Sequence, residues 1–214
     1  MTRLVTYATL ERLGPVFATG EAAAALRMSV SSTSRMLRGL EQEGWARHVR
    51  SGLWSVGVDA PDPFMLASEL TRPHPAYVSF ESALGYHGMI DQVPREVSIA
   101  SLDRARRIAT SVGTFAIHHL KPELFGGWQE TPRGRIAGPE KAIFDINYAS
   151  VAHRGRARQM PELELPAGFE VRIIETWAAR IESPRVRSLT RRAIEHAMSR
   201  ATPVRTSQPA PASQ

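Results

Sequence analysis

The chain has 214 residues, 43% apolar and 22% charged, with 27 basic against 21 acidic side chains and no cysteine. That length suits two small modules, the composition is that of a globular protein, and no apolar run approaches the roughly eighteen residues that cross a bilayer. Without cysteine there are no disulfides, no thiolate metal sites and no cysteine nucleophile, as in a reducing cytoplasm.

The formal charge of +6 is unevenly spread. Residues 1–58 carry seven arginines against four glutamates, residues 59–138 eight basic and nine acidic groups, and residues 139–214 twelve basic and eight acidic groups. Both ends are basic around a nearly neutral middle, which favours a polyanionic partner through counterion release. No secretory leader is expected at Met1–Pro15, which has Arg3 but no continuous apolar run and no small-residue cleavage site.

In chain order, Thr2–Leu13 reads as a helix stopped by Gly14-Pro15, and Phe17 as a short extended residue. Thr19 is the expected cap of a helix through Glu21–Arg27, where four consecutive alanines raise helix propensity. Met28-Ser29-Val30 is a tight connection, and Ser31–Glu43 a helix closed by Gly44. Trp45–Arg50 and Leu53–Val58 read as strands joined by Ser51-Gly52, a hairpin signal. Short helices followed by a hairpin is the order of a winged helix-turn-helix.

Asp59-Ala60-Pro61-Asp62-Pro63 reads as a linker, because its prolines continue neither element. Beyond it the expected elements are a helix at Phe64–Leu70, a helix at Ser79–Gly88, and strands at Glu96–Ser101 and Thr114–Leu120. Pro139 to His153 is a marked helix, with proline at its first position, Glu140 in its first turn, and Ala142, Ile143, Ile146 and Ala149 on one face. Phe169–Ile174 reads as a strand or a helix start, Arg185–Arg200 as a helix, and the Pro/Ser/Ala-rich end from Thr202 as a disordered tail. The expected fold class is α+β. A winged helix-turn-helix at 1–58 precedes a linker at 59–63, a mixed α+β domain at 64–200 and a tail at 201–214.

On a helical wheel, Thr33, Met36, Leu37 and Leu40 fall on one side of the third helix. Ser31, Ser34, Arg35 and Arg38 fall on the other, with Ser32 at its edge. Short hydroxyls ahead of two arginines suit a helix whose N-terminal end enters a major groove. Hydroxyls and free N–H groups meet phosphates there, and arginine forks onto guanine O6 and N7. The hairpin adds Arg47, His48 and Arg50 for a neighbouring phosphate or the minor groove. Two further basic trios, Arg104, Arg106, Arg107 and Arg154, Arg156, Arg158, are candidates for contact with a partner or with nucleic acid, against a plainer reading as solvated loops.

No catalytic or metal constellation stands out. His118 and His119 are neighbours in a strand and point to opposite faces, and no histidine pair has metal-ligand spacing. Lys121 and Lys141 sit in turn and helix-start contexts, and Gly126-Gly127 lacks a phosphate-cradling sequel. No enzyme, cofactor or metal is expected.

Three stretches are distinctive. Tyr77-Val78-Ser79-Phe80-Glu81-Ser82-Ala83-Leu84-Gly85-Tyr86-His87-Gly88-Met89-Ile90 resembles the opening of the second domain of AbiEi-type antitoxins. Thr114-Phe115-Ala116-Ile117-His118-His119-Leu120-Lys121-Pro122-Glu123-Leu124-Phe125-Gly126 is similar to a later part of that domain, and Pro139-Glu140-Lys141-Ala142-Ile143-Phe144-Asp145 to a third hallmark. With the N-terminal module, the resemblance covers roughly residues 1–200. It implies a cytoplasmic DNA-binding repressor that acts on the operator in its own promoter. It also implies an antitoxin countering a nucleotidyltransferase-like toxin in a toxin–antitoxin or phage-defence operon, without a stable complex and without a membrane. The hallmark residues themselves read more simply as fold-holding: a helix start, a packed helix face, and turns at Gly88 and Gly126. The rivals are a regulator whose second domain senses a small ligand, and a DNA-targeted nuclease.

Overall fold

The computed structural model describes residues 3–57, 59–154 and 160–203, a mixed α+β chain. In order it runs α1 (Arg3–Glu11), β1 (Val16–Ala18), α2 (Thr19–Leu26), α3 (Val30–Gln42), β2 (Ala46–Arg50), β3 (Leu53–Val56), α4 (Ala67–Thr71), β4 (Ala76–Val78), α5 (Phe80–Tyr86) and β5 (Val97–Ser101). There follow β6 (Arg106–Thr110), β7 (Gly113–His119), β8 (Trp128–Thr131), β9 (Gly134–Ala137), α6 (Pro139–Arg154), β10 (Glu164–Leu165), α7 (Val171–Ala179), α8 (Pro184–Met198) and β11 (Thr202–Pro203). No described helix is long and apolar enough to cross a membrane. The described residues fall into two compact units, one from Met1–Val78, Arg95–His119 and Glu130–Ile136, the other from Ser79–Pro94, Leu120–Gln129 and Ala137–Gln214.

In the first unit, α1, α2 and α3 pack with a three-stranded antiparallel sheet of order β1-β3-β2. The core is the apolar stripe of each helix laid on the inner face of that sheet: Leu10, Phe17, Ala22, Leu26, Leu37, Leu40, Ala46 and Trp54. Thr19 does not cap α2. The cap is Ala18, whose N–H donates to Glu21 Oε2 at 2.7 Å, while Thr19 is buried inside the first turn and accepts from Trp54 Nε1 at 3.0 Å. Glu21, three residues on, reaches back to the N–H of the cap residue, the glutamate half of a capping box.

The same unit holds most of a six-stranded mixed sheet of order β6-β7-β5-β4-β9-β8. β5 runs parallel to β7, β4 parallel to β9, and the pairs β4/β5 and β6/β7 are antiparallel. β4, β6, β8 and β9 were not expected. Each is short, and β6 and β8 carry the charged or polar residues Arg106-Arg107 and Gln129-Glu130, which hide strand periodicity. Asp62, inside the expected linker, is tied down: it accepts from Phe64 N–H at 2.9 Å and from Arg133 Nη2 at 3.1 Å, and Arg133 stacks over the Phe64 ring.

In the second unit α6 packs against α5, α7 and α8. The sequence expectation of one apolar face was too narrow, since every residue from Glu140 to Val151 is buried. Polar members survive inside by pairing: Lys141 Nζ donates to Asp145 Oδ1 one turn on, Ser79 Oγ donates to Asp145 Oδ2 at 2.7 Å, and Asn147 Nδ2 donates to the Ile143 carbonyl at 2.8 Å. The Lys141 stem runs beside Gly127, where a Cβ would lie 2.9 Å from the Trp177 ring and 3.0 Å from the lysine, at a φ of +77°. Only glycine fits there. Lys141 is therefore not helix-start chemistry but half of a buried ion pair. Phe169–Ile174 resolves as a helix start, with Glu170 at the cap and Val171–Ile174 opening α7, and Thr202-Pro203, expected to open the tail, pairs in parallel with Glu164-Leu165. The rest of that tail lies outside the described residues.

Candidate nucleic-acid interface

α3 begins one residue earlier than expected, at Val30. Arg27 ends α2 in the left-handed region (φ 53°), and Ser29 caps α3 by accepting from Ser32 N–H at 3.2 Å. The Ser29 hydroxyl also lies 3.1 Å from that of Ser31 and 2.9 Å from that of Ser32, so three hydroxyls cluster at the start of the helix. Thr33, Leu37 and Leu40 are buried and Met36 packs on the core, which fixes the rotation of the helix. Ser31, Arg35 and Arg38 are consequently exposed, and Ser32 and Ser34 half-buried. Spaced by four and three residues, the exposed trio forms one stripe of about 10 Å.

The β2–β3 hairpin stands beside this stripe. Its turn holds Gly52 at φ 78°, and the register sets His48 opposite Trp54 and Arg47 opposite Ser55, with an irregularity between His48 and Arg50. Across that irregularity Val49 turns into the core while His48 stays outside. The His48 ring lies on Trp54 with centroids 4.8 Å apart, and its backbone N–H donates to Glu41 Oε1 of α3 at 3.1 Å. Arg47 and Arg50 are half-buried.

Between α3 and the hairpin lies a cleft of about 300 Å³ lined by Thr19, Ser34, Arg38, Glu41, His48, Ser51, Gly52 and Trp54. Hydroxyls, a guanidinium and an imidazole surround it, with one carboxylate already accepting from the His48 backbone. Of the α3 and hairpin residues that the sequence singles out, Ser34, Arg38 and His48 meet here. Thr19, Glu41 and Trp54 were missed, because nothing local in the sequence says that an alanine-rich helix and a strand tryptophan meet behind the hairpin.

The other candidates divide. Arg104 is exposed, whereas Arg106 and Arg107 lie on β6 and not in a loop. Arg106 pairs with Asp103 and donates to the Leu70 carbonyl at 3.0 Å; Arg107 makes two bonds to Glu96, at 3.0 and 3.1 Å. Asp103 sits below the usual aspartate range because of that Arg106 bond. Arg154 ends α6, and Arg156 and Arg158 lie outside the described residues. Among the described residues no group of three or more histidines and carboxylates is placed to hold a metal ion. Compared with known proteins, the chain matches no family model and no curated protein.

Proposed function

We propose that residues 3–57 form a winged helix-turn-helix that binds double-stranded DNA, with α3 as the reading helix and the β2–β3 hairpin as its wing. The chain is then a cytoplasmic repressor of its own operon and not an enzyme. What carries the reading is the exposed Ser31–Arg35–Arg38 stripe beside a hairpin that presents His48. Arg35 and Arg38 meet base edges, the clustered hydroxyls at the helix start meet phosphates, and the cleft between helix and wing straddles the sugar–phosphate backbone.

The second half of the proposal is that the protein acts as the antitoxin to a nucleotidyltransferase-like toxin, without forming a stable complex. It rests on the resemblance of residues 77–90, 114–126 and 139–145 to AbiEi-type antitoxins. Several of those residues, among them Tyr77, Phe80, Lys141 and Asp145, are buried, which suits a role in holding the fold while other surfaces make the contacts.

The test is a titration of the protein against its own upstream DNA and a scrambled duplex, each at two salt concentrations. With roughly six to ten phosphate contacts, affinity should fall about 10³–10⁵-fold between about 50 and 200 mM salt. Arg35→Ala should cost roughly 1–3 kcal/mol on the specific duplex and relax specificity at one base pair. Equal, weak binding to both duplexes, unchanged in the variant, would overturn the proposal.

A further inference from the structure

We propose that the exposed face of α8 is a second nucleic-acid surface, holding a phosphodiester backbone without reading its sequence. This stands apart from the reading of α3. From Pro184 to Arg200 the chain carries five arginines and one glutamate. Ser183 caps the helix, and Thr190, Ala193, Ile194 and Ala197 bury its inner side. That burial leaves Arg185, Ser188, Arg192, Glu195, His196 and Ser199 outside.

Two of the arginines are held in place. Arg187 donates to the Ile181 carbonyl at 2.8 Å and the Glu182 carbonyl at 3.3 Å, and Arg191 Nε lies 3.0 Å from Glu175 Oε2. They flank a depression of about 340 Å³, lined also by Pro184, Ser188, Arg192 and Glu195. Arg185 and Arg192 have no partner among the described residues. Seven residues apart, they stand about 10.5 Å from each other along the helix. Three base-pair steps of about 3.4 Å rise cover nearly the same length along the axis of a duplex.

Apart from Pro184 at its start, the fully exposed positions of α8 carry only charged and polar side chains, and that composition selects the partner. Protein interfaces form around buried aromatic or aliphatic anchors, and this face offers none. Fixed and free guanidiniums around the depression suit phosphates, which are bound by charge and counterion release. Glu195 is the one carboxylate on α8 itself.

The experiment compares four full-length chains: the parent, R35A/R38A, R185Q/R192Q, and all four substitutions together. Each is titrated by fluorescence anisotropy against a scrambled DNA duplex, an RNA duplex of the same sequence, and poly-glutamate, between about 50 and 200 mM salt. Arg185 and Arg192 are exposed and unpaired, so R185Q/R192Q should melt like the parent. Losing two phosphate contacts should make the log–log salt slope shallower by about 1.8, so the variant-to-parent ratio of Kd shrinks about twelvefold across that range. Whichever duplex responds identifies the source of the backbone. Unchanged affinity and slope on both duplexes would overturn the proposal, as would an equal loss on poly-glutamate. The same R35A/R38A chain is also titrated against the protein's own upstream DNA, where unchanged binding would overturn the function proposed above and leave this one standing.

Discussion

Lys141 and Asp145 show how one residue's surroundings outweigh its sequence context. They are 2% and 0% exposed, one turn apart, and Trp177 and Phe144 lie 4.6 and 5.0 Å from the ammonium. Burial pushes the Lys141 ammonium below its ordinary value, while the Asp145 charge beside it works in the opposite direction. Such a pair is worth little against an apolar substitute, but half of it is costly, because the remaining charge has no water. Asp145→Asn should lower unfolding free energy by about 3–5 kcal/mol in urea denaturation. Replacing both, as K141M/D145L, should cost far less, and an equal loss in the two variants would mean that the charges were never desolvated.

At the scale of elements, the start of α2 depends on side chains distant in sequence. Glu21 accepts from Ala18 N–H and from Arg72 Nη1 at 2.6 Å, and Arg72 also reaches Glu69 at 2.8 Å. The Ala18 bond first, and the Arg72 bond next, hold the Glu21 carboxyl below its ordinary 4.5. A lowered folded value means stability that is fully present above 4.5 and lost as pH falls through the folded value. Thermal melts should therefore show Glu21→Gln less stable than the parent near neutrality, with the gap closing as pH falls below 4.5. A pH-independent gap would remove the carboxylate from the account. Thr19 was the natural guess for this cap, because short hydroxyls are common caps and the sequence does not reveal that Trp54 claims it.

For the molecule as a whole, the N-terminal helices and their hairpin share one compact unit with most of the six-stranded sheet. Ser111, at the β6–β7 turn, donates through its hydroxyl to the His48 carbonyl at 2.8 Å and through its N–H to the Val49 carbonyl at 3.0 Å. This turn therefore holds β2, the strand that presents His48. The stretch 59–63 is fastened in the same unit through Asp62 and Arg133. Arg133→Ala should speed cleavage by proteinase K within residues 59–63, read by mass spectrometry, while leaving the hairpin intact. A rate equal to the parent's would show that the Arg133 contact restrains nothing.

Much of this protein was legible in its residues. The alanine run, the Gly44 and Ser51-Gly52 punctuation, the Pro139-Glu140 helix start and the 3.6-residue stripes of α1, α3 and α8 place most helices and the first hairpin within a residue or two, because these signals act within one or two turns of chain. So does the exposed serine–arginine face of α3, which follows from burying its opposite side. The rest was decided only by tertiary structure. Strands β4 and β9 exist because partners far along the chain complete their hydrogen bonds, and the cleft behind His48 exists because Trp54 and Thr19 meet 35 residues apart. Lys141 is a core residue because Gly127, Trp177 and Asp145 close around it. Local propensity is a property of neighbours in sequence; burial, pairing and charge environment belong to neighbours in space.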